Sequence, residues 1–171
     1  FAHGWWTIEG EKMSKSLGNV IAPAAMIEEF GLDATRWFLL REVPFGNDGN
    51  FSKEALVTRV NSELANNIGN LAQRTLTIIN KHCGASLPKC RALTAEEKQM
   101  IYNDSLLNTY HDAMNKCAFH DALGAVVQMG NQANLYIDNK APWKLRKDDP
   151  EEMKAVLYCL AEQIRVISLL C

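Results

Sequence analysis

The sequence contains no pair of cysteines spaced C-x-x-C, no long apolar run and no recognisable signal peptide. Because the number of cysteines is odd, we expect reduced thiols rather than a disulfide framework or a zinc site, and we assign no metal. Without an apolar run of about 18 residues, no transmembrane helix is expected. The first ten residues, "FAHGWWTIEG", lack a charged segment and a cleavage site, so we expect a soluble, cytoplasmic protein. The five cysteines are Cys83, Cys90, Cys117, Cys159 and Cys171.

The sequence also lacks a strong excess of charge of one sign. Its formal net charge is -2, which excludes proteins that hold nucleic acid through bulk positive charge. Any nucleic-acid partner must therefore be bound by local patches of the surface. With 171 residues, of which 47% are hydrophobic, the chain can form a core of one globular unit or slightly more.

The periodicity of apolar residues predicts a mainly α-helical protein. Only the opening stretch, "FAHGWWTIEGEK", has a convincing β pattern, and it leads into a lysine-rich loop at residues 10–19. A first helix is expected to stop at Gly31, and Asp33 is expected to cap the next one. The stretch "PFGNDGN" that follows is predicted to be a turn.

A long helix is predicted after Ser52, which is a suitable N-cap, and it should end before Gly84 with a bend near Gly69. Thr94 and Glu97 form a capping-box pattern for another helix over 95–117. A helix over about 118–138, a polar break at "NKAPWKLRKDD" and a final amphipathic helix after residue 149 complete the chain.

We therefore expect two parts. Residues 1–50 should form a short β and loop module, and residues 51–171 should form a helical bundle. The sequence starts without methionine and stops inside an apolar helical pattern, so we expect a piece of a longer protein.

The loop "GEKMSKSLGN" carries two lysines between two glycines. Glycines let a loop close over a ligand, and two ammonium groups on long side chains can reach separate phosphate oxygens. Composition alone equally fits a solvated surface loop, because most short stretches of lysine and serine are of that kind.

The order of residues in this loop resembles the signature loop of class I aminoacyl-tRNA synthetases. The stretches "HGWWTIEGEKMSKSLGN", "GLDATRWFLLREVPFGNDGNFS", "NSELANNIGNLAQR" and "NKAPWKL" together resemble the methionyl-tRNA synthetase family over residues 2 to about 146. The loop alone is shared with the isoleucyl, valyl, leucyl and cysteinyl enzymes. A synthetase of the isoleucyl, valyl or leucyl type and a non-catalytic helical tRNA-binding module are therefore the alternatives.

The resemblance implies that the loop binds ATP, with Mg²⁺ in the complete enzyme, while methionine attacks the α-phosphorus. Lys12 and Lys15 would neutralise the departing pyrophosphate, and Ser14 and Ser16, beside Met13, would contribute hydrogen bonds or loop geometry. The histidine-rich signature of the family's nucleotide-binding half has no match here. We therefore expect this chain to be inactive alone and to hold no bound cofactor.

His3 does not match that missing signature, and we interpret it as a packed or strand-end histidine. Trp5, Trp6, Trp37, Phe38 and Tyr158 have no neighbouring pattern that suggests binding, so we expect them in the core.

A second candidate site comprises Asn70, Arg74 and Trp143. Asn70 and Arg74 are four residues apart on a predicted helix and can share one face, although spacing alone also fits a solvated arginine. Trp143 lies among basic residues and could stack on an unpaired base, or it could anchor a helix end in the core. The resemblance favours contact with the first base of the CAU anticodon, which makes tRNA(Met) the expected partner.

Overall fold

The computed structural model describes residues 4–171, and His3 therefore lies outside the described residues. This part of the chain is mainly helical, which confirms the predicted fold class. None of its helices is long and apolar enough to cross a membrane. The α-helices are α1 Pro23–Phe30, α2 Leu32–Arg41, α3 Lys53–Arg59, α4 Asn70–His82, α5 Ala95–Ile101, α6 Asp104–Asn115, α7 Phe119–Lys140, α8 Pro142–Asp148 and α9 Pro150–Leu170.

A small sheet precedes the bundle. Its strands are β1 Trp6–Ile8, β2 Glu11–Lys12 and β3 Gly49–Phe51, in the order β2-β1-β3. β1 pairs antiparallel with β2 and parallel with β3. The β1–β2 turn uses Glu9 and Gly10 at positive φ, a conformation that two-residue hairpin turns favour.

Strand β3 lies where the sequence predicted only a turn, and that part of the prediction was wrong. Gly49 pairs with Trp6 across the sheet, and a Cβ atom at Gly49 would lie 2.6 Å from Val43 Cγ2 and 3.1 Å from the Trp6 ring. The glycine here permits close packing under an aromatic ring rather than a reversal of the chain. The expected boundary at residue 50 falls inside this strand. The division of the chain into two parts stays a prediction.

Helices α1 and α2 pack on the sheet through a small aromatic core. Phe38 of α2 is fully buried and meets Phe51 edge-on, with the ring centroids 5.6 Å apart. Gly31, at φ 84°, separates the two helices as predicted. The prediction for Asp33 was wrong, because α2 starts at Leu32 and Asp33 lies in its first turn. A carboxylate there still favours the positive end of the helix.

The long helix after Ser52 is continuous but not uniform. The Ser52 side chain accepts a hydrogen bond from the Ala55 N–H at 3.0 Å, which confirms the predicted cap. Between α3 and α4 the residues Val60–Gly69 are π-helical, with helical dihedral angles at both junctions. At the place of the predicted bend near Gly69, the structure has the end of this wider, π-helical segment. Beyond α4, Gly84 takes φ 62°.

The predicted helix over 95–117 is two helices. Its start is as expected, because Thr94 and Glu97 form both bonds of a capping box. α5 then ends at Ile101, and the Asn103 side chain accepts from the Leu106 N–H at 3.1 Å to cap α6. Asparagine competes with helical backbone pairing in this way, so it starts a new helix.

Helices α7 and α9 form the centre of the bundle, and α8 lies between them in the chain. Ala141 adopts a left-handed conformation at φ 43° and separates α7 from α8. The predicted polar break at 139–149 is therefore wrong for most of its length. Asp149 caps α9 as predicted. The largest core cluster contains Trp37, Leu71, Leu123, Val126, Met129, Ala133, Ile137, Val156, Leu160 and Ile167.

A network of charges ties the start of α5 to the start of α9. Arg91 donates hydrogen bonds to both carboxylate oxygens of Glu97 at 2.9 Å and also pairs with Glu152. Lys140 reaches Glu152 at 3.0 Å. The bonds from Arg91, aided by the Thr94 N–H, lower the pKa of Glu97 to about 2, although burial opposes the change. The charged form of Glu97 thus stabilises the fold.

We predict that Glu97→Gln lowers the free energy of unfolding by about 2 kcal/mol at pH 7, because the ion pair is lost while glutamine can still complete the capping box. The pKa of Glu97 is lower in the folded than in the unfolded state. Its stabilisation is therefore complete above the ordinary pKa of 4.5 and disappears as the pH falls towards about 2. Urea unfolding of parent and variant between pH 7 and pH 2 measures the difference.

Glu96→Gln is the matched control, because Glu96 is the exposed neighbour in the same first turn. It should change the unfolding free energy little at any pH. A Glu97→Gln deficit that stays constant down to pH 2 would contradict the charge-based explanation.

Candidate functional site

The lysine loop follows β2 and is held by one asparagine side chain. The Ser14 N–H donates to Asn19 Oδ1 at 2.7 Å, and Asn19 Nδ2 donates to the Lys12 carbonyl at 3.2 Å. Asn19 therefore fixes the backbone on both sides of Met13. The Ser14 and Ser16 hydroxyl groups are 2.7 Å apart and form a hydrogen bond within the loop. This bond lies within the loop itself, whereas the role of the serines in ligand binding stays a prediction, and the contacts of Asn19 were not foreseen.

Both loop lysines are exposed. Lys12 Nζ lies 5.6 Å from the centre of the Trp5 ring, and within residues 4–171 Lys15 forms no ion pair. Two cations on one short loop repel each other unless an anion lies between them. The loop is thus suited to an anionic ligand with more than one charged oxygen.

An apolar cavity of about 580 Å³ adjoins this loop. It is lined by Trp5, Trp6, Thr7, Lys12, Met13 and Asp48. The side chain of Trp5 is 76% exposed, so the prediction that it belongs to the core was wrong, whereas Trp37 and Phe38 are buried as predicted. The backbone holds Trp5 in place, since its N–H donates to Asp48 Oδ1 at 2.7 Å.

The second candidate site lies between α4 and α8. The Arg74 guanidinium carbon is 5.5 Å from the centre of the Trp143 ring, which is the distance of a cation–π contact. Arg74 also pairs with Asp138 near the end of α7. The Trp143 side chain is 45% exposed, so part of its ring is accessible to a ligand. The structure thus brings Arg74 and Trp143 together, and their role in binding stays a prediction.

Asn70 occupies the first turn of α4, four residues before Arg74, and is exposed. The cavity beside Trp143, of about 300 Å³, is lined by Gln73, Arg74, Thr77, Ile78 and Trp143. Asn70 is not among the lining residues that the structure describes. Gln73 and Asp138 were missed because each is one polar residue on an exposed helix face, where such residues are common.

The surroundings of Trp143 are locally basic. Lys144, Arg146 and Lys147 are exposed on α8, which follows directly from the left-handed turn at Ala141. On a helix, Arg146 and Lys147 follow Trp143 by three and four residues and so share its side of α8, whereas the predicted irregular break would have left their positions open. A base stacked on Trp143 would thus have cations near its phosphates.

A partly buried carboxylate links the two regions of the chain. Glu63, in the π-helical segment, accepts a hydrogen bond from Trp37 Nε1 at 3.0 Å. It also pairs with Arg41 of α2 at 3.2 Å and with Arg59 of α3 at 2.9 Å. These contacts attach the module that carries the loop to the long helix that carries Arg74.

Known proteins are similar to this chain in sequence and in fold. A family described as "tRNA synthetases class I (M)" matches residues 1–76. The methionine–tRNA ligase of Rhizobium meliloti (strain 1021) is 48% identical over 99% of this chain and 33% of its own length, and that of Rickettsia bellii (strain RML369-C) is 47% identical over 99% and 34%. The structure of Mycobacterium tuberculosis methionyl-tRNA synthetase in complex with methionyl-adenylate has a TM-score of 0.92, with 42% identity over 99% of this chain and 34% of that one.

The similarity extends over nearly the whole chain, and the chain spans about a third of the length of the curated relatives that it matches. Its fold agrees with the solved structure, and the sequence identity of 42% is too high for a similarity of architecture alone. Over nearly its whole length the chain is therefore similar to about a third of the length of the methionyl-tRNA synthetases, and its first 76 residues match the class I synthetase family.

Proposed function

We propose that this chain is part of a methionine–tRNA ligase that activates methionine with ATP and transfers it to tRNA(Met). The chain contributes the pyrophosphate-stabilising loop and the recognition of the CAU anticodon. The observation that carries the proposal is the presence of both sites in one relative of these ligases: a loop with two exposed lysines and an arginine held over a half-exposed tryptophan. The cytoplasm is the proposed location, with an organellar matrix as the alternative.

The loop acts by stabilising charge. As methionine attacks the α-phosphorus of ATP, negative charge accumulates on the departing pyrophosphate. Lys12 and Lys15 neutralise that charge from two sides. The two hydrogen bonds of the Asn19 side chain support this role, because they fix the backbone between the lysines. Ser14 and Ser16 contribute hydroxyl groups that keep the loop in shape or bond to phosphate. This is electrostatic stabilisation without a covalent intermediate.

The rest of the reaction needs residues outside this chain. The chain spans about a third of the length of its relatives, and we propose that methionine and the adenosine of ATP bind to parts of the complete protein outside this chain, so that the chain alone forms no adenylate. Mg²⁺ accompanies ATP in the complete enzyme. We assign none of this chain's residues to it, because residues 4–171 contain no group of three or more acidic, histidine or cysteine side chains that could hold a metal.

Recognition of the anticodon uses stacking and edge contacts. The first anticodon base, a cytosine, stacks on the exposed part of Trp143. Arg74, already beside that ring, and Asn70, one turn earlier on α4, bond to the edge of the base. Cations of α8 then attract the phosphates without distinguishing bases.

We predict that Lys15→Ala lowers the rate of methionine activation in the complete enzyme by roughly a hundredfold or more, with little change in methionine binding. Loss of one preorganised charge at a developing anion has an effect of this size. Methionine-dependent exchange of pyrophosphate into ATP measures the rate. Lys89→Ala serves as the control, because Lys89 is an exposed lysine on the connector before α5. An unchanged rate in Lys15→Ala would make the loop a linker and favour a non-catalytic tRNA-binding module.

We predict that Trp143→Ala weakens binding of a CAU anticodon stem-loop by about 1–3 kcal/mol, the range typical of a lost base–aromatic stack. Arg74→Ala should in addition reduce the preference for cytosine over uracil at the first base, because it removes a contact to the edge where these bases differ. Binding titrations of each variant against both stem-loops at one salt concentration measure these effects.

Lys147→Ala should weaken binding of both stem-loops equally, since a phosphate contact carries no base information. Lys89→Ala should change neither. If Trp143→Ala and Arg74→Ala both bind like the parent while Trp143→Ala melts at a lower temperature, then Trp143 is only a structural anchor.

A further inference from the structure

The side chain of Asn67 is buried between the π-helical segment and α7. It is 6% exposed, and its amide nitrogen donates to the Val127 carbonyl at 3.2 Å and to Asn131 Oδ1 at 2.9 Å. Asn134 donates to Asn67 Oδ1 at 2.9 Å and to the Asn67 carbonyl at 3.2 Å. Four directional bonds thus join the long helix to α7 at one residue.

Gly130 provides the space for this side chain. A Cβ atom at Gly130 would lie 2.6 Å from Asn67 Oδ1, 3.1 Å from its Cγ and 3.2 Å from its Nδ2. The whole amide group therefore lies against the bare backbone of α7. Because this amide is buried and hydrogen-bonded, it cannot turn aside to make room for a methyl group without losing those bonds.

The same spacing recurs towards the anticodon site. Asn67 meets Asn131, and Arg74, seven residues further on, meets Asp138, seven residues beyond Asn131. α4 and α7 are therefore parallel and in fixed register here. A slip of one residue would move Arg74 by about 1.5 Å along the helix and about 100° around it, away from Trp143.

The π-helical segment sets the starting point of this register. Its hydrogen bonds span five residues instead of four, so it changes which side chains of the following α-helix face α7. Asn67 is the buried residue of this segment and lies three residues before the start of α4. Apolar packing alone can slide, whereas a bonded amide fixes rotation and translation together.

We propose that Asn67, seated against Gly130, is a positioning residue that sets the register of α4 and so holds Arg74 over Trp143 for reading the first anticodon base. The proposal rests on the function proposed above. Asn67 itself does not touch the RNA. It acts on recognition through the placement of Arg74.

The test is Gly130→Ala in the complete enzyme. We expect binding of the CAU stem-loop to weaken roughly tenfold or more and the preference for cytosine over uracil at the first base to fall, because Arg74 loses its place. Methionine-dependent pyrophosphate exchange should be unchanged, since the lysine loop is not part of this contact. Titration at fixed salt and the exchange assay supply the two readouts.

Gly124→Ala is a closely matched control. Both glycines are inside α7, and both substitutions increase helix propensity by a similar amount. The Cβ atom at position 124 would meet only the Arg41 guanidinium, at 3.8 Å, which is an ordinary contact. Gly124→Ala should therefore bind both stem-loops like the parent.

A second variant separates register from general packing. Asn67→Ala should itself reduce the preference for cytosine, and in that background Gly130→Ala should cause no further loss, because the methyl group no longer meets an amide. Should Gly130→Ala fail to fold, Asn67→Ala alone decides the matter through the same ratio of affinities.

Parent-like affinity and cytosine preference in Gly130→Ala or in Asn67→Ala would overturn the proposal. The proposal would also be overturned if the losses of affinity caused by Gly130→Ala and by Asn67→Ala added up in the double variant. Trp143→Ala in the same titration separates this failure from a failure of the proposed function. If Trp143→Ala weakens binding while the Asn67 variants do not, only the positioning role is wrong, and if none of them matters, the anticodon site itself is wrong.

Discussion

The contact of the Asn67 amide with the bare backbone of α7 is the constraint on which the arrangement of the helical part depends. The long helix carries residues of both regions, with Glu63 bonded to the loop module and Arg74 beside Trp143. Leucine and valine side chains bury this helix but tolerate small displacements. Hydrogen bonds from one buried amide are directional, so they define a single register from which the positions at both ends follow.

Charge is used locally in this protein. A net charge of -2 gives no general attraction for RNA or for ATP, so binding has to rely on where the cations stand. The exposed lysines of the loop and the exposed basic side chains of α8 are two such places. Other cations are already neutralised inside the fold, for example Arg91 by Glu97 and Glu152. Some cations therefore stabilise the fold, and others are exposed and proposed to bind ligands.

The sequence predicted the helical class and several helix ends, because caps are local patterns. Ser52, Thr94 and Asp149 each accept a bond from a backbone N–H a few residues later. Strand β3 could not be foreseen, since three residues become a strand only by pairing with β1, more than forty positions away. Likewise, the π-helical segment has no distinct composition, and the packing of its buried residue Asn67 against Gly130 joins positions more than sixty residues apart.

For the candidate sites, the predictions of the loop and of Arg74 and Trp143 came from the family resemblance, because local spacing and composition alone also fitted solvated residues. The predictions did not identify Asp138 or Asn19, whose importance appears only when the chain is folded. Asp138 meets Arg74 across two helices, and Asn19 returns five residues to bond Ser14. Single polar residues on a helix or in a turn are frequent, so only their partners distinguish them.

The most direct test of the central claim is photocrosslinking at the first anticodon base. An anticodon stem-loop with 5-iodocytidine at that position would be irradiated in complex with the protein, and the attached peptide identified by mass spectrometry. The account predicts attachment at Trp143, because the base stacks on its exposed ring. Attachment at another aromatic residue, such as Trp5 or Tyr110, with none at Trp143, would contradict it.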